Sequence, residues 1–238
     1  MTTMPEKRLE GQRTIITGAS AGIGAAIAER YAAEGASIWA AGGGDAEGLK
    51  RVIAACRAAG VKADGRLYDL SDATLASDIM RDGADFLGGL DILVNCAGAR
   101  SPGAFTDFDD DEIIRMFHVN AISVFIASRE AARLMVPQGS GRILNIGSIF
   151  GEVGVAGNAL YCATKATLHS LTRALAVELG PQGHSGELPP SRHHHERAHK
   201  SSIRGRARLY RRPPSGDSRP PLCRARGNGC GIRFHCLP

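Results

Sequence analysis

The chain alternates short apolar runs with longer segments in which apolar residues recur at helical spacing. The runs lie at residues 14–17, 37–40, 65–68, 91–94 and 142–146, and the helical patterns at 23–33, 46–59, 74–86, 110–135 and 158–179. Several runs do not alternate apolar with polar residues, which is typical of strands buried on both faces of a parallel sheet. The order predicts an α/β fold with a doubly wound parallel sheet, whose ligand site lies at the carboxyl ends of the strands.

A glycine-rich turn joins the first run to the first helical segment. Its glycines are Gly18, Gly22 and Gly24, in a G-x-x-x-G-x-G pattern that also contains Ser20 and Ile23. Glycines allow the backbone to approach a pyrophosphate, which the N-terminus of the following helix attracts. The position between a strand and a helix therefore predicts a dinucleotide-binding loop in a Rossmann-like sheet.

Three residues near the fifth run form a candidate catalytic set. Ser148 follows that run, Tyr161 comes thirteen residues later, and Lys165 lies four positions further along a helical segment. Residues at i and i+4 share a helix face, so the Lys165 ammonium can stabilise the ionised form of the Tyr161 phenol. We expect Tyr161 to exchange a proton with a substrate whose oxygen accepts a hydrogen bond from Ser148.

With these motifs the chain resembles the short-chain dehydrogenase/reductase family over roughly residues 9–183. Further matches follow in family order: Asp69-Leu70, then Asn95-Cys96-Ala97-Gly98, which resembles the family's Asn-Asn-Ala-Gly, then Asn120 in a Val-Asn dipeptide. One position departs from the pattern, because Cys96 replaces the second Asn.

The resemblance implies a role for each matched position. Asn120 would link Lys165 to solvent through water, as a fourth member of the catalytic set. The cofactor contacts would be Gly18, Ser20, Gly22, Ile23, Gly24, Asp69, Leu70, Asn95, Ala97, Gly98, Tyr161 and Lys165.

The family resemblance implies an NAD(P)-dependent oxidoreductase that interconverts a secondary alcohol and a ketone. After the second run, Gly42 stands where an acid would bind the ribose hydroxyls, and no base stands at Gly43. The cofactor is therefore NADP or NAD, and the missing acid favours NADP. The body most resembles bacterial members that reduce 3-oxoacyl thioesters or oxidise polyols. Arg100, Phe150, Glu152 and Val153 are expected either at the substrate pocket or in a surface loop.

The composition changes abruptly near His184. Residues 184–238 contain twelve Lys or Arg and three Asp or Glu, whereas residues 1–183 contain 17 basic and 21 acidic residues. We therefore expect a catalytic domain at 1–183 and a basic, Arg- and Pro-rich tail at 184–238, with the last strands of the sheet missing or disordered. The family's sixth strand, Ile-Arg-Val-Asn, does not follow Gly183.

A frameshift would explain this change. Residues 184–189 can be encoded by CAT TCG GGT GAA CTG C. If the reading frame is shifted by one nucleotide, the same bases read ATT CGG GTG AAC TGC, which encodes Ile-Arg-Val-Asn-Cys. If the tail is real, the alternative to an enzyme is a catalytically impaired nucleotide-binding or basic-tailed interaction protein. No aromatic residue except Tyr210 accompanies the clustered arginines of the tail, and they lack helical spacing, so we predict no nucleic-acid partner. The His and Cys residues of the tail match no zinc spacing.

The remaining features concern location and association. The first residues lack the pattern of a signal peptide and no apolar run could span a bilayer, so we expect a cytoplasmic protein without a membrane partner. The family resemblance implies a homodimer or homotetramer formed through the helices at 110–135 and 158–179. The expected small-molecule partner is the substrate, an alcohol or a ketone.

Overall fold

A computed structural model describes residues 7–180 and, as a backbone strand, residues 231–237. Most of the predicted tail, and with it the junction at His184 where the frameshift hypothesis applies, lies outside these residues. Within them, the strands and helices alternate as the apolar runs predict.

The strands form one parallel sheet in the order β3-β2-β1-β4-β5-β6. The chain first builds outward from β1 to β3, then returns to the other side of β1, so the sheet is doubly wound as predicted. The strands are β1 Arg13–Thr17, β2 Ser37–Gly42, β3 Ala63–Leu67, β4 Ile92–Asn95, β5 Ser140–Ile146 and β6 Gly231–Leu237.

Helices cover both faces of the sheet because neighbouring residues of a strand point to opposite sides. Ile15 of β1 packs in a cluster with the helices α3 and α5, whereas Ile16 packs on the other side with α1 and α2. Both side chains are fully buried. The helices are α1 Gly22–Ala33, α2 Ala46–Ala58, α3 Leu75–Leu87, α4 Asp110–Phe117, α5 Ser123–Gln138 and α6 Ala159–Leu179.

The amino-terminal ends of the two central strands are tied by an ion pair. The Arg13 guanidinium donates to both carboxylate oxygens of Asp91 at 2.8 Å, and the Arg13 backbone N–H donates to the same carboxylate. Arg13 also donates to the Gly88 carbonyl at 2.7 Å. These contacts fix β1 against β4 at the end of the sheet opposite the predicted ligand site.

The predicted single helix over residues 110–135 is interrupted. A π-helical turn at His118–Ile122 separates α4 from α5 and contains the buried Asn120. The apolar spacing could not reveal it, since one wider turn barely changes which residues face the core. Such π-turns often occur at functional sites.

The C-terminal segment departs from the expectation that the last strands are missing or disordered. The backbone of Gly231–Leu237 forms β6, which pairs in parallel along the whole of β5. In sequence, Ile232, Phe234 and Cys236 alternate with Arg233 and His235, the period-2 pattern of a strand. The average composition of the tail concealed this short pattern, and the expectation is corrected for this segment. It shares Ile-Arg with the strand expected after Gly183.

Candidate active site

A cleft of about 820 Å³ opens at the carboxyl ends of β1, β2 and β4, where the sheet reverses its winding direction. Most of the predicted site residues line it, although they come from segments far apart in sequence. Those in the lining are Gly18, Ser20, Gly22, Ile23, Gly24, Asp69, Leu70, Ala97, Gly98, Tyr161 and Lys165.

The glycine-rich loop needs its glycines for two reasons. Gly18 and Gly22 have φ angles of 69° and 57°, in the left-handed region that other residues rarely adopt. The backbones also approach closely: a Cβ atom on Gly18 would lie 2.8 Å from the Ala97 Cα, and one on Gly24 would lie 2.2 Å from the Gly18 carbonyl oxygen. The loop therefore presents bare backbone to the cleft at the start of α1.

Thr17 joins this loop to the segment after β4. Its Oγ1 accepts hydrogen bonds from the backbone N–H groups of Cys96 and Ala97, both at 3.1 Å. Thr17 itself is only 4% exposed, and the two N–H groups that it accepts lie in the wall of the cleft. This role of Thr17 was not predicted from the sequence, since a threonine at the end of a strand has no distinctive pattern.

The far end of the cleft has little side-chain bulk. Gly42, Gly43 and Gly44 line it after β2, and no side chain there contributes an acid or a base. Asp69 and Leu70 lie on the neighbouring wall. Hydrogen bonds from Ser71 hold the pKa of the Asp69 carboxyl below its usual value, so this group is ionised at neutral pH.

Asn95 lies below the cleft and is absent from its lining. Its amide group donates to the Ser128 Oγ at 3.1 Å and to the Asn145 Oδ1 at 2.9 Å. Asn145 in turn donates to the Thr172 hydroxyl at 2.8 Å. All four side chains are buried, and the chain of bonds connects β4, β5, α5 and α6. In the structure Asn95 therefore supports the floor of the cleft.

Asn120, like Asn95, is absent from the lining of the cleft and supports a segment that lines it. Its Oδ1 accepts from the Ala99 backbone N–H at 2.7 Å, while its Nδ2 donates to the Ala99 carbonyl at 2.8 Å and to the Thr164 hydroxyl at 3.0 Å. This fully buried amide fixes the segment after β4 against α6. A water link between Asn120 and Lys165 stays a prediction.

Tyr161 and Lys165 lie one turn apart on α6, and both reach the cleft. The Lys165 Nζ donates to the Ile146 carbonyl at 2.9 Å and lies 5.9 Å from the centroid of the Tyr161 ring. A Cβ atom on Gly98 would be 3.5 Å from both the Lys165 Nζ and the Asn120 Oδ1, so these groups converge. The ammonium group is thus held beside the phenol ring.

Ser148 follows Gly147, which lines the cleft, but is not itself among the lining residues. Its Oγ accepts from the Phe150 backbone N–H at 3.2 Å and caps a short 3₁₀ turn. That turn packs against α6 closely, since a Cβ atom on Gly151 would lie 2.8 Å from the Lys165 carbonyl carbon. The bond leaves the Ser148 O–H able to donate to a ligand.

Cys96, the departure from the family motif, lines the cleft beside Ala97. Burial raises the pKa of its thiol, and the positive charge of Lys165 opposes this only in part. The side chain is therefore an uncharged thiol at neutral pH.

Two of the four expected pocket residues meet beside Tyr161. Arg100 lines the cleft, and its Cζ lies 5.2 Å from the centroid of the Phe150 ring and 6.0 Å from that of Tyr161. Glu152 and Val153 are exposed and do not line the cleft. Across residues 7–180, no three His, Cys, Asp or Glu side chains are grouped as metal ligands would be.

Comparisons with known proteins identify relatives of this chain. Residues 12–183 match the family model described as short chain dehydrogenase. A 2,5-dichloro-2,5-cyclohexadiene-1,4-diol dehydrogenase of Sphingobium indicum is 38% identical over 176 residues, which cover 74% of this chain and 70% of that protein.

Solved structures agree in fold. A short chain dehydrogenase from Burkholderia cenocepacia in complex with NADP is 40% identical, with a TM-score of 0.69 over 73% of this chain and 70% of the other. An NAD⁺-bound xylitol dehydrogenase is 28% identical, with a TM-score of 0.67 over 72% of this chain and 66% of the other.

The junction at Thr17 can be tested by a nearly isosteric change. Thr17→Val removes the acceptor of two backbone N–H groups in the wall of the cleft, so we expect the free energy of unfolding to fall by about 2 kcal/mol and binding of NADPH to weaken. Thr17→Ser keeps the hydroxyl and is the matched control. Urea unfolding monitored by circular dichroism measures the difference; equal midpoints for the two variants would show that these bonds contribute nothing.

Proposed function

Because this chain belongs to the short-chain dehydrogenase family of NAD(P)-dependent oxidoreductases, we propose that it interconverts a secondary alcohol and the corresponding ketone, with Tyr161 as the acid/base group. The observation that carries the proposal is the position of Tyr161 and Lys165, one helical turn apart in the wall of the cleft that also contains the glycine-rich loop.

The cleft suits a nicotinamide dinucleotide. The glycine-rich loop lines the cleft at the start of α1, and the N-terminus of this helix would attract a pyrophosphate there. Asp69 and Leu70 would lie along the adenine, while Ala97 and Gly98 would lie below the ring system that faces Tyr161. When bound, this cofactor supplies or accepts the hydride.

The proton is transferred by a residue of the protein. In alcohol oxidation the phenolate of Tyr161 accepts the proton of the substrate hydroxyl, and in ketone reduction the phenol returns it. The Lys165 ammonium lies 5.9 Å from the centroid of the Tyr161 ring, one turn further along the same helix. The Ser148 hydroxyl donates a hydrogen bond to the same substrate oxygen and holds it near Tyr161. Asn120 is a positioning residue, because it fixes α6 against the segment that follows β4.

The cofactor is NADP or NAD, and the site favours NADP, since the wall at Gly42 to Gly44 holds no carboxylate that would repel a ribose phosphate. Relatives of known structure include one bound to NADP and one bound to NAD⁺.

Association through the two long helices is part of the same proposal. α5 and α6 carry exposed apolar side chains, among them Phe125, Val136 and Val177. Larger apolar patches of this kind mark protein interfaces. No helix within residues 7–180 is both long and apolar enough to cross a membrane. A cytoplasmic location stays a prediction.

Tyr161→Phe separates the enzyme from a nucleotide-binding protein without turnover. The variant keeps the ring but loses the exchangeable proton, so we expect the NAD(P)-linked rate on a panel of secondary alcohols to fall about 10²- to 10⁴-fold with NADPH binding retained. Tyr31→Phe, on α1 away from the cleft, is the control. A Tyr161→Phe rate equal to wild type would contradict the mechanism, and cofactor binding without any wild-type rate would favour the second function.

Gly43→Arg tests the phosphate end of the cleft. A Cβ atom on Gly43 would meet nothing within 4 Å, so a side chain fits there. An arginine can bind a ribose phosphate through two charge-assisted hydrogen bonds, and we expect the Kd for NADPH to fall about tenfold relative to that for NADH. Gly43→Gln adds similar length without charge. If calorimetry gives both variants the same ratio of the Kd for NADPH to the Kd for NADH, the ribose does not lie at this wall.

A further inference from the structure

The substrate end of the cleft contains a guanidinium group without a carboxylate partner. Most arginines in residues 7–180 pair with an acid, as Arg13 does with Asp91 and Arg115 with Glu112. Arg100 has no carboxylate within 4 Å among the described residues, although it lies in the wall of the cleft. Its charge is therefore available to a ligand.

Arg100 is held in a defined position. Its Nε donates to the Oδ1 of Asn158 at 2.9 Å. Asn158 is only 6% exposed, and its own amide donates to the Ala156 carbonyl at 3.1 Å. Because Asn158 precedes α6 and Tyr161 lies in its first turn, the bond ties the guanidinium to the element that carries the acid/base group.

Two aromatic rings lie beside the Arg100 guanidinium. The guanidinium lies 5.2 Å from the Phe150 ring centroid and 6.0 Å from that of Tyr161, whose rings meet edge to face. The structure gives no hydrogen-bond partner to either Nη of Arg100 within the described residues. These two nitrogens form the planar fork that matches a carboxylate.

Resting on the function proposed above, we propose that Arg100 binds a carboxylate of the substrate, so that the enzyme acts on small hydroxy acids and the corresponding oxo acids. The Arg100 Cζ lies 6.0 Å from the centroid of the Tyr161 ring. This distance suits a substrate whose carboxylate is a few carbon atoms from the carbon that reacts. In oxidation the alcohol carbon loses its hydride to the oxidised nicotinamide and the hydroxyl loses its proton to Tyr161. The carboxylate stays unchanged and orients the substrate.

A phosphate ester would offer the same fork a different anion. The carboxylate is favoured because one guanidinium matches one negative charge. The other cation recorded near the Tyr161 ring is Lys165, whose ammonium donates to the Ile146 carbonyl. The cofactor's own phosphates belong to the glycine-rich loop around Gly18, which follows β1.

The test compares matched acid and amide probes in wild type, Arg100→Gln and Arg173→Gln. Arg173 is an exposed arginine of α6 outside the cleft, so its variant controls for loss of a charge. The first readout is the ratio of kcat/KM for 3-hydroxybutyrate to that for 3-hydroxybutanamide, with the same ratio for 3-hydroxycyclohexanecarboxylate and its amide. The second, independent of turnover, is calorimetric binding of benzoate, benzamide and inorganic phosphate in the presence of NADP⁺.

We expect wild type and Arg173→Gln to favour the acids, and Arg100→Gln to lower the acid-to-amide ratio and weaken benzoate binding by about tenfold. Equal ratios and equal benzoate affinities in all three proteins would overturn the assignment. If the amides are oxidised in that case, the proposed oxidoreductase function would still be supported. If no probe is oxidised, benzoate binding still decides the role of Arg100, and tighter binding of phosphate than of benzoate would contradict a carboxylate site.

Discussion

The close approach of backbones at the carboxyl ends of β1 and β4 is the constraint on which the site depends. Gly18 lies against Ala97 with no space for a Cβ atom, and Gly24 lies against Gly18 in the same way. The Thr17 hydroxyl holds this contact by accepting two buried N–H groups. These two bonds join the glycine-rich loop after β1 to the segment that follows β4, and so position both walls of the cleft relative to each other.

The catalytic side depends on a second set of buried amides. Asn120 fixes Ala99 against Thr164 of α6, and the bonds from Asn95 through Asn145 fix the strands beneath. The π-turn at His118–Ile122 directs Asn120 inward at the point where α4 passes into α5. The Lys165 ammonium and the Tyr161 phenol thus stand on a helix anchored by hydrogen bonds, and Arg100 is joined to the same helix through Asn158. The residues proposed to orient the substrate and to transfer the proton are therefore linked through α6.

Much of the fold could be predicted from sequence because its signals are local. Apolar runs, helical spacing and the glycine pattern before α1 each specify one element, and the parallel order then brings the strand ends together. The contacts of Thr17 and Asn158 were not predicted, since they join residues distant in sequence and neither residue type has a distinctive pattern. The π-turn changes too few positions to alter the periodicity. β6 was missed because seven alternating residues were averaged with a long basic segment.

The most direct test is a titration of the full chain with NADPH and NADH that follows the emission of Trp39, the single tryptophan. Trp39 is buried on β2, whose last residues, Ala41 and Gly42, line the cleft. The account predicts saturable quenching by both cofactors, with the lower Kd for NADPH. A folded, soluble chain that shows no saturable change with either cofactor would contradict a dinucleotide site in this cleft.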